Sequence, residues 1–271
     1  MTNILLRLLP SPVIRGAGRL QFKIPALRKL INIVGHGLAK EGVIQRGAGK
    51  GLRFNARGCN PGYLAGTSEP LEQEILLKHS PPGGVFYDVG ANAGFHAMIA
   101  ARAVGAAGCV YAFEPTPALA ARLRDNATRN SFENVYIVEA AISGIDGEIS
   151  FGMLGPLSVL NSVRTDQAAE TVTVRSIRLD TFCADHRPPD LVLIDIEGSE
   201  IEALESGLQM IAKHRPVIMV EVHYLGHKFI EFVNRALLPL RYTAMTYEGG
   251  PLISENIRYH VLLLPEEVVS A

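Results

Sequence analysis

Apolar positions along the chain switch between two periods, and the switches mark its elements. Val85, Phe86, Tyr87 and Val89 form a short apolar run bounded by glycines. That is the pattern of a strand buried in a parallel sheet. Gly90, Ala91, Asn92, Ala93 and Gly94 follow, small residues where a chain turns sharply and lets a ligand approach the backbone. Phe95, Met98, Ile99 and Arg102 then recur at helical spacing among alanines, and Gly105 stops the helix. Strand, tight glycine turn and helix together open a βαβ unit of the nucleotide-binding type.

The alternation continues downstream. Cys109 to Phe113 predicts a strand ending in Glu114, and Thr116 and Pro117 cap and start a helix through Leu119, Leu123 and Ala127. Asn134 to Val138 predicts a third strand, followed by Glu139, Ala140 and Ala141, small enough at Ala141 to leave room for a flat ring. Asp146-Gly147 predicts a hairpin joining Ala141–Ile142 to Ile149–Phe151. Residues 152–171 read as a long irregular loop, expected to act as a substrate lid. Thr171 to Val174 alternates as an exposed strand. Leu191 to Ile194 is another fully apolar strand with Asp195 at its end. Ser199 and Glu202 have the spacing of a capping box, for one helix burying Ile201, Leu204, Leu208 and Ile211. Pro216 to Glu221 is the next buried strand, with His223 just beyond. A helix near Phe229–Leu237 and strands Tyr242–Tyr247 and Arg258–Leu264 complete the pattern.

Upstream, residues 42–68 are rich in glycine and predict short strands and turns, Leu52 to Asn55 among them. Thr67 or Ser68 caps a helix starting near Pro70, running through Leu71, Ile75 and Leu76, and ended by Pro81-Pro82-Gly83. Glu69 and Glu72 fall at its start. There they either face a cationic ligand group or complement the helix dipole.

Bulk composition, 48% apolar and 20% charged with net charge −1, is that of an ordinary globular α/β chain. Cys59, Cys109 and Cys183 have no metal or disulfide spacing and suit a reducing, cytoplasmic compartment. No apolar run reaches the length of a membrane span. Charge is unevenly placed: residues 1–57 carry net +10 and the remainder −11, with no acid in the first forty residues. This divides the chain into a basic N-terminal extension, residues 1–60, and a catalytic-type domain, residues 61–271. Three readings fit the extension: a cap packed on the acidic domain, a helix in peripheral contact with an anionic membrane, or a transit peptide. A nucleic-acid partner is not expected, because aromatic interleaving is absent and the rest of the chain is acidic.

Charge also selects the ligand. The turn lacks the middle glycine of G-x-G-x-x-G, with Asn92 there instead, and carries no Lys-Ser/Thr pair of a P-loop. Asp88 at the strand end would repel a pyrophosphate and attract a cation. S-adenosylmethionine carries an ammonium and a sulfonium and no phosphate. Glu114, twenty positions beyond Gly94, suits the ribose hydroxyls. Glu69, Asp88, Gly90, Asn92, Gly94, Glu114, Ala141 and Asp195 are therefore the expected cofactor residues. Strand ends of an open α/β sheet line one crevice, so Asp88, Glu114, Asp195, Glu197, Glu221 and His223 should converge.

The segments DVGANAG, VYAFEPTP, LRDNATRN, LDTF, LIDIEGSE and VIMVEVH, in this order across residues 60–223, resemble the FkbM family of S-adenosylmethionine-dependent methyltransferases. The resemblance implies a class I methyltransferase (Rossmann-like) sheet of about seven strands, the last antiparallel, behind a helical or irregular N-terminal extension. It implies that Asp88, Gly90, Asn92, Gly94 and Glu114 hold the cofactor. It also implies methyl transfer to an oxygen of a small-molecule acceptor such as a sugar, glycan or natural product. Leu193 departs from the lysine the family often has there. Asp195, Glu197, Glu221 and His223 are the expected catalytic group. Either His223 or Asp195 is the general base, or the carboxylates hold a divalent cation. A dinucleotide-dependent oxidoreductase and a catalytically silent cofactor-binding subunit are the competing classes. Asp88 and the missing glycine oppose the first, and the intact acidic cluster opposes the second.

Overall fold

A computed structural model describes residues 41–57, 59–60, 62–153, 170–252 and 258–269. The basic segment 1–40 and most of the expected lid, residues 154–169, lie outside them. The chain divides into two compact units, one up to Pro70 and one from Leu71 onward. In the first, β1 (Glu41–Val43) pairs antiparallel with β2 (Arg53–Asn55), and a short helix α1 (Gly62–Ala65) follows. Ile44, Leu52, Phe54 and Leu64 are buried, and the Phe54 ring meets the edge of Tyr63. Glu69, just before α2 (Pro70–Lys78), is left-handed at φ 43°.

The second unit carries the sheet. Its strands are β3 (Val85–Val89), β4 (Cys109–Phe113), β5 (Val135–Val138), β9 (Leu191–Ile194), β10 (Val217–His223), β11 (Tyr242–Thr246) and β12 (Arg258–Pro265). They lie in the order β11-β12-β10-β9-β3-β4-β5. All neighbours are parallel except β12, which runs antiparallel to both β10 and β11. Every residue of β3, β9 and β10 is buried, as their predominantly apolar composition requires. A fully buried Val, Leu, Ile or Phe contributes about 1.5–3 kcal/mol. Many such residues in this core (Val89, Phe113, Ile194, Val220, Val222 and Phe229 among them) offset the cost of placing Asp88, Glu221 and His223 in buried strand positions.

Helices α3 (Phe95–Val104) and α4 (Pro117–Arg129) follow β3 and β4 as the periodicity predicts. Chain order runs outward from β3 through β4 to β5, then returns to the other side of β3 at β9. At such a reversal the helices leave in opposite directions and a crevice opens at the strand ends.

Three local expectations are corrected. Asp146-Gly147 makes no hairpin. Both β6 (Ala141–Ile142) and β7 (Gly147–Met153) pair with β8 (Glu170–Ile177), which lies between them. Asp146 instead accepts from the Arg178 N–H and the Thr181 hydroxyl. Ser199 and Glu202 form no capping box, since Ser199 makes no side-chain cap bond, and Glu200 takes the Gly198 N–H. The single helix expected there is two, α6 (Glu200–Glu205) and α7 (Leu208–His214). The break has a tertiary cause. The Ser206 carbonyl accepts from Asp180 N, at the start of the helix α5 (Leu179–Asp185), and the Asp180 carboxylate accepts from Gln209 N and Met210 N in α7. Thr116 likewise makes no side-chain cap bond at α4, its own N–H being held by Glu114. Helix α8 (His227–Phe232) continues as a wider turn over Val233–Leu237 before β11, and α9 (Glu266–Val269) ends the described chain. Among the described residues no helix is long and apolar enough to cross a membrane.

Candidate active site

Strand register sets the level of the site. Val89 pairs with Phe113 on one side and with Ile194 on the other, and Ile194 pairs with Val220. The next residue on each strand therefore stands in one row: Gly90, Glu114, Asp195 and Glu221. Antiparallel β12 adds His260, opposite Glu221.

Gly90 permits the row to close. Its φ is 90°, and a Cβ there would lie 1.9 Å from the carbonyl oxygen of Asp195. No L side chain fits this approach. Both Gly90 N and Ala91 N donate to the carbonyl of Phe113. Asn92 is left-handed at φ 53° and gives its N–H to Glu114 Oε2 at 2.9 Å. Glu114 Oε1 accepts from Thr116 N at 2.7 Å. A carboxylate oxygen has two lone-pair directions, so each retains capacity for a ligand hydroxyl. Burial pushes the Glu114 carboxyl up to about 7, against the pull of the Thr116 and Asn92 N–H groups.

Beside this turn lies a pocket lined by Gly90, Asn92, Glu114, Ala141, Asp195 and Glu197. Phe113, Leu119, Ala140, Ile142, Phe151 and Ile196 supply its apolar walls. Among the described residues the lining holds three carboxylates and no Lys or Arg. That suits a cationic nucleoside and opposes a pyrophosphate, as the charge argument requires. Asp88 and Gly94 do not line this pocket. Asp88 is buried in β3, and burial with the charges of Asp195 and Glu114 pushes its carboxyl up to about 8, against the Ala97 N–H.

The second half of the site is centred on His223, only 2% exposed. Its Nδ1 lies 2.9 Å from Oε1 of the fully buried Glu200, which also accepts the Gly198 N–H. A carboxylate only accepts, so Nδ1 is the N–H donor and Nε2 points onward. Around Nε2 stand Glu197 Oε2 at 3.7 Å, Glu221 Oε1 at 3.7 Å and Asp195 Oδ1 at 3.8 Å. Glu197 reaches this position because it is left-handed, at φ 57°, and outside helix α6. Burial lowers the imidazole's proton affinity. The Glu200 hydrogen bond and the charges of Asp195 and Glu197 outweigh burial and hold it above its usual value. The four expected catalytic residues are thus brought together, with Asp195 and Glu197 shared between cluster and pocket.

Glu200 was legible only as the last acid of D-x-E-G-x-E, without a role. A further group was not foreseen. Glu72 does not line the pocket. It is buried, with Oε1 3.3 Å from His96 Nε2 and Oε2 3.9 Å from His260 Nε2, and His260 lies 3.5 Å from Glu221. Burial drives His96 down to about 4, so it is neutral near neutral pH; Asp195 opposes this and His260 adds to it.

The seven-stranded sheet with its antiparallel last strand defines a class I methyltransferase fold. The family model of the methyltransferase FkbM domain matches residues 88–247, and the chain belongs to that family. S-adenosylmethionine is its cofactor. The chain is 29% identical to a hexuronic acid methyltransferase, AglP, of Haloferax volcanii, over 55% of this chain and 60% of that protein. It is 25% identical to a 2-O-methyltransferase, NoeI, of Sinorhizobium fredii, over 55% of this chain and 68% of that protein. This chain thus spans under two thirds of the length of the first of these relatives. A solved structure of methyltransferase FkbM from Methylobacillus flagellatus is similar with a TM-score of 0.47 and 16% identity, covering 75% of this chain and 52% of that one.

Proposed function

We propose that the protein transfers the methyl group of S-adenosylmethionine to a hydroxyl oxygen of a sugar, and that a hexuronic acid or related glycan unit is the acceptor class. One observation carries this reading: Asp195 belongs both to the pocket beside Glu114 and to the buried cluster around His223. A cofactor site and a proton-handling site therefore meet at Asp195, with Glu197 beside it in both. Similarity to a hexuronic acid methyltransferase and to a 2-O-methyltransferase supports the acceptor class.

Glu114 accepts from the ribose hydroxyls with the lone pairs that Asn92 and Thr116 leave open. Ala141, Ile142 and Phe151 receive the base on an apolar wall. When bound, S-adenosylmethionine supplies an electrophilic methyl group on a sulfonium. The remaining work is positioning and water exclusion. A sugar hydroxyl attacks poorly while it keeps its proton. The Asp195–Glu197–Glu221–His223 cluster receives that hydroxyl and takes the proton away.

The test is product formation. Full-length protein, S-adenosylmethionine and a panel of hexuronic acids and neutral sugars are incubated, and methylated product is sought by mass spectrometry. One methyl added to a hydroxyl, in step with release of S-adenosylhomocysteine, is expected. Tight S-adenosylmethionine binding without transfer to any sugar, but with transfer to a nitrogen or carbon acceptor, would overturn the acceptor class.

A further inference from the structure

We propose that Asp195, Glu197 and His223, with Glu221 beside them, form a binding site for one divalent first-row metal ion, of the manganese type. The strongest observation is the state of His223. Its side chain is 3% exposed, and its Nε2 has no hydrogen-bond partner among the described residues. Nδ1 is committed to Glu200, so in the neutral ring Nε2 presents a lone pair. That lone pair faces three carboxylate oxygens at 3.7–3.8 Å, beyond hydrogen-bond reach. With the ring neutral, the Nε2 lone pair and one carboxylate oxygen each of Asp195 and Glu197 lie within 4.8 Å of one another, and a cation between them resolves the arrangement.

The spacing suits an ion. Two ligands each about 2.1 Å from one metal stand about 3.0 Å apart at a right angle and about 3.4 Å apart at a tetrahedral angle. The observed separations of 3.7–3.8 Å exceed the tetrahedral spacing by a few tenths of an ångström and the right-angle spacing by more, so an inward movement of the side chains completes the shell. Asp195, Glu197 and His223 each direct a ligand atom into this group.

Glu200 supplies the second element of a metal site. A ligating histidine commonly gives its other N–H to a carboxylate, which fixes the tautomer and strengthens the ligand. Glu200 is fully buried and does this at 2.9 Å. Its Oε1 is fixed in turn by Gly198 N, in the loop that carries Glu197.

Donor chemistry chooses the ion class. Carboxylates alone would favour magnesium or calcium. A buried imidazole nitrogen shifts the preference toward manganese or its first-row neighbours. Asp195, 34% exposed at its side chain, leaves a side open to the pocket. An acceptor hydroxyl entering there becomes a ligand and loses its proton more readily. The proton passes to the outer oxygen of Asp195 and on to water. This role rests on the methyl-transfer reading; the binding of the ion does not.

The experiment therefore measures binding without cofactor or acceptor. Full-length protein is stripped with chelator and titrated with Mn²⁺, free ion being followed by electron paramagnetic resonance. One Mn²⁺ per chain is expected, with a nitrogen coupling from imidazole in pulsed spectra. Asp195→Asn, at a partly exposed position, should weaken binding at least about tenfold. His223→Ala should abolish the nitrogen coupling. Glu200→Gln should weaken Mn²⁺ about 10–100-fold while S-adenosylhomocysteine affinity stays intact. No binding by the wild-type chain at millimolar Mn²⁺, or equal binding by wild type and Asp195→Asn, overturns the site. So does a bound ion with no nitrogen coupling. If sugar methylation proceeds at full rate in excess chelator, the metal role fails and the methyl-transfer reading stands.

Discussion

Nδ1 of His223, the last residue of β10, donates to Oε1 of Glu200, the first residue of α6, across 2.9 Å of fully buried space. This bond orients the imidazole and also ties the loop of Glu197 to the sheet. Glu200→Ala leaves two buried N–H groups, of His223 and Gly198, without an acceptor. It should destabilise the protein by about 1–3 kcal/mol for each group that water cannot reach, as chemical denaturation would report. Glu200→Gln keeps an acceptor oxygen. It should restore most of the stability and little of the turnover, a split that a purely structural role for Glu200 would not produce.

Glu114 links the cofactor turn to β4 by accepting from Asn92 and Thr116. Charge-assisted hydrogen bonds of this kind are each worth about 1.5–3 kcal/mol. Glu114→Ala should weaken S-adenosylmethionine binding at least about tenfold by calorimetry. Unchanged affinity would remove Glu114 from the cofactor site.

Gly90 approaches the Asp195 carbonyl too closely for any side chain. Gly90→Ala forces the β3 and β9 ends apart and adds the cost of φ 90°. The expected loss is about 1–3 kcal/mol from backbone strain alone, with both cofactor binding and turnover abolished because the pocket and cluster share this row. A variant that kept wild-type melting and affinity would contradict the register described.

Asp88 makes stability depend on pH. Burial, with the charges of Asp195 and Glu114, raises its carboxyl from 3.8 to about 8 in the folded chain. Between these values the folded protein holds a proton that the unfolded chain has released. Stability should therefore fall as pH rises from about 4 toward about 8. Asp88→Asn mimics the protonated form. Melting of the chelator-treated, cofactor-free variant should show a flatter dependence over this window and a higher midpoint than wild type at pH 8. A steeper slope in the variant would contradict the assignment.

Strands β3, β9 and β10 were legible because each is built on a short apolar run, with Asp88 the one polar residue inside β3 and Glu221 and His223 at the end of β10. Hydrophobic run length and turn chemistry are local properties, and the sequence displays them directly. Glu114, Asp195, Glu197, Glu221 and His223 were legible as a group because strand ends in this topology share one edge, whereas Asp88 lies one residue inside β3 and does not line the pocket. The glycine turn followed from spacing, whereas the bond of Asn92 N–H to Glu114, expected only as a ribose acceptor, did not.

Pairing across the chain was not legible. Asp146 correctly marked a turn, yet β8 enters between β6 and β7 because it completes both of their ladders, and nothing local to residues 141–153 encodes that. The helix after Asp195 breaks because Asp180 and Leu179, nearly thirty residues upstream, bind Ser206 more favourably than a continuing helical turn does. Glu200 has the sequence context of a first-turn helix acid, and Glu72 that of a dipole partner. Each is instead drawn to histidines supplied by distant strands: Glu200 to His223 on β10, Glu72 to His260 on antiparallel β12. The residue types needed for chemistry at the strand ends were written into the sequence. Which carboxylate faces which imidazole was decided by tertiary structure, because burial makes an unpartnered charge costly and strand register alone sets the partners within reach.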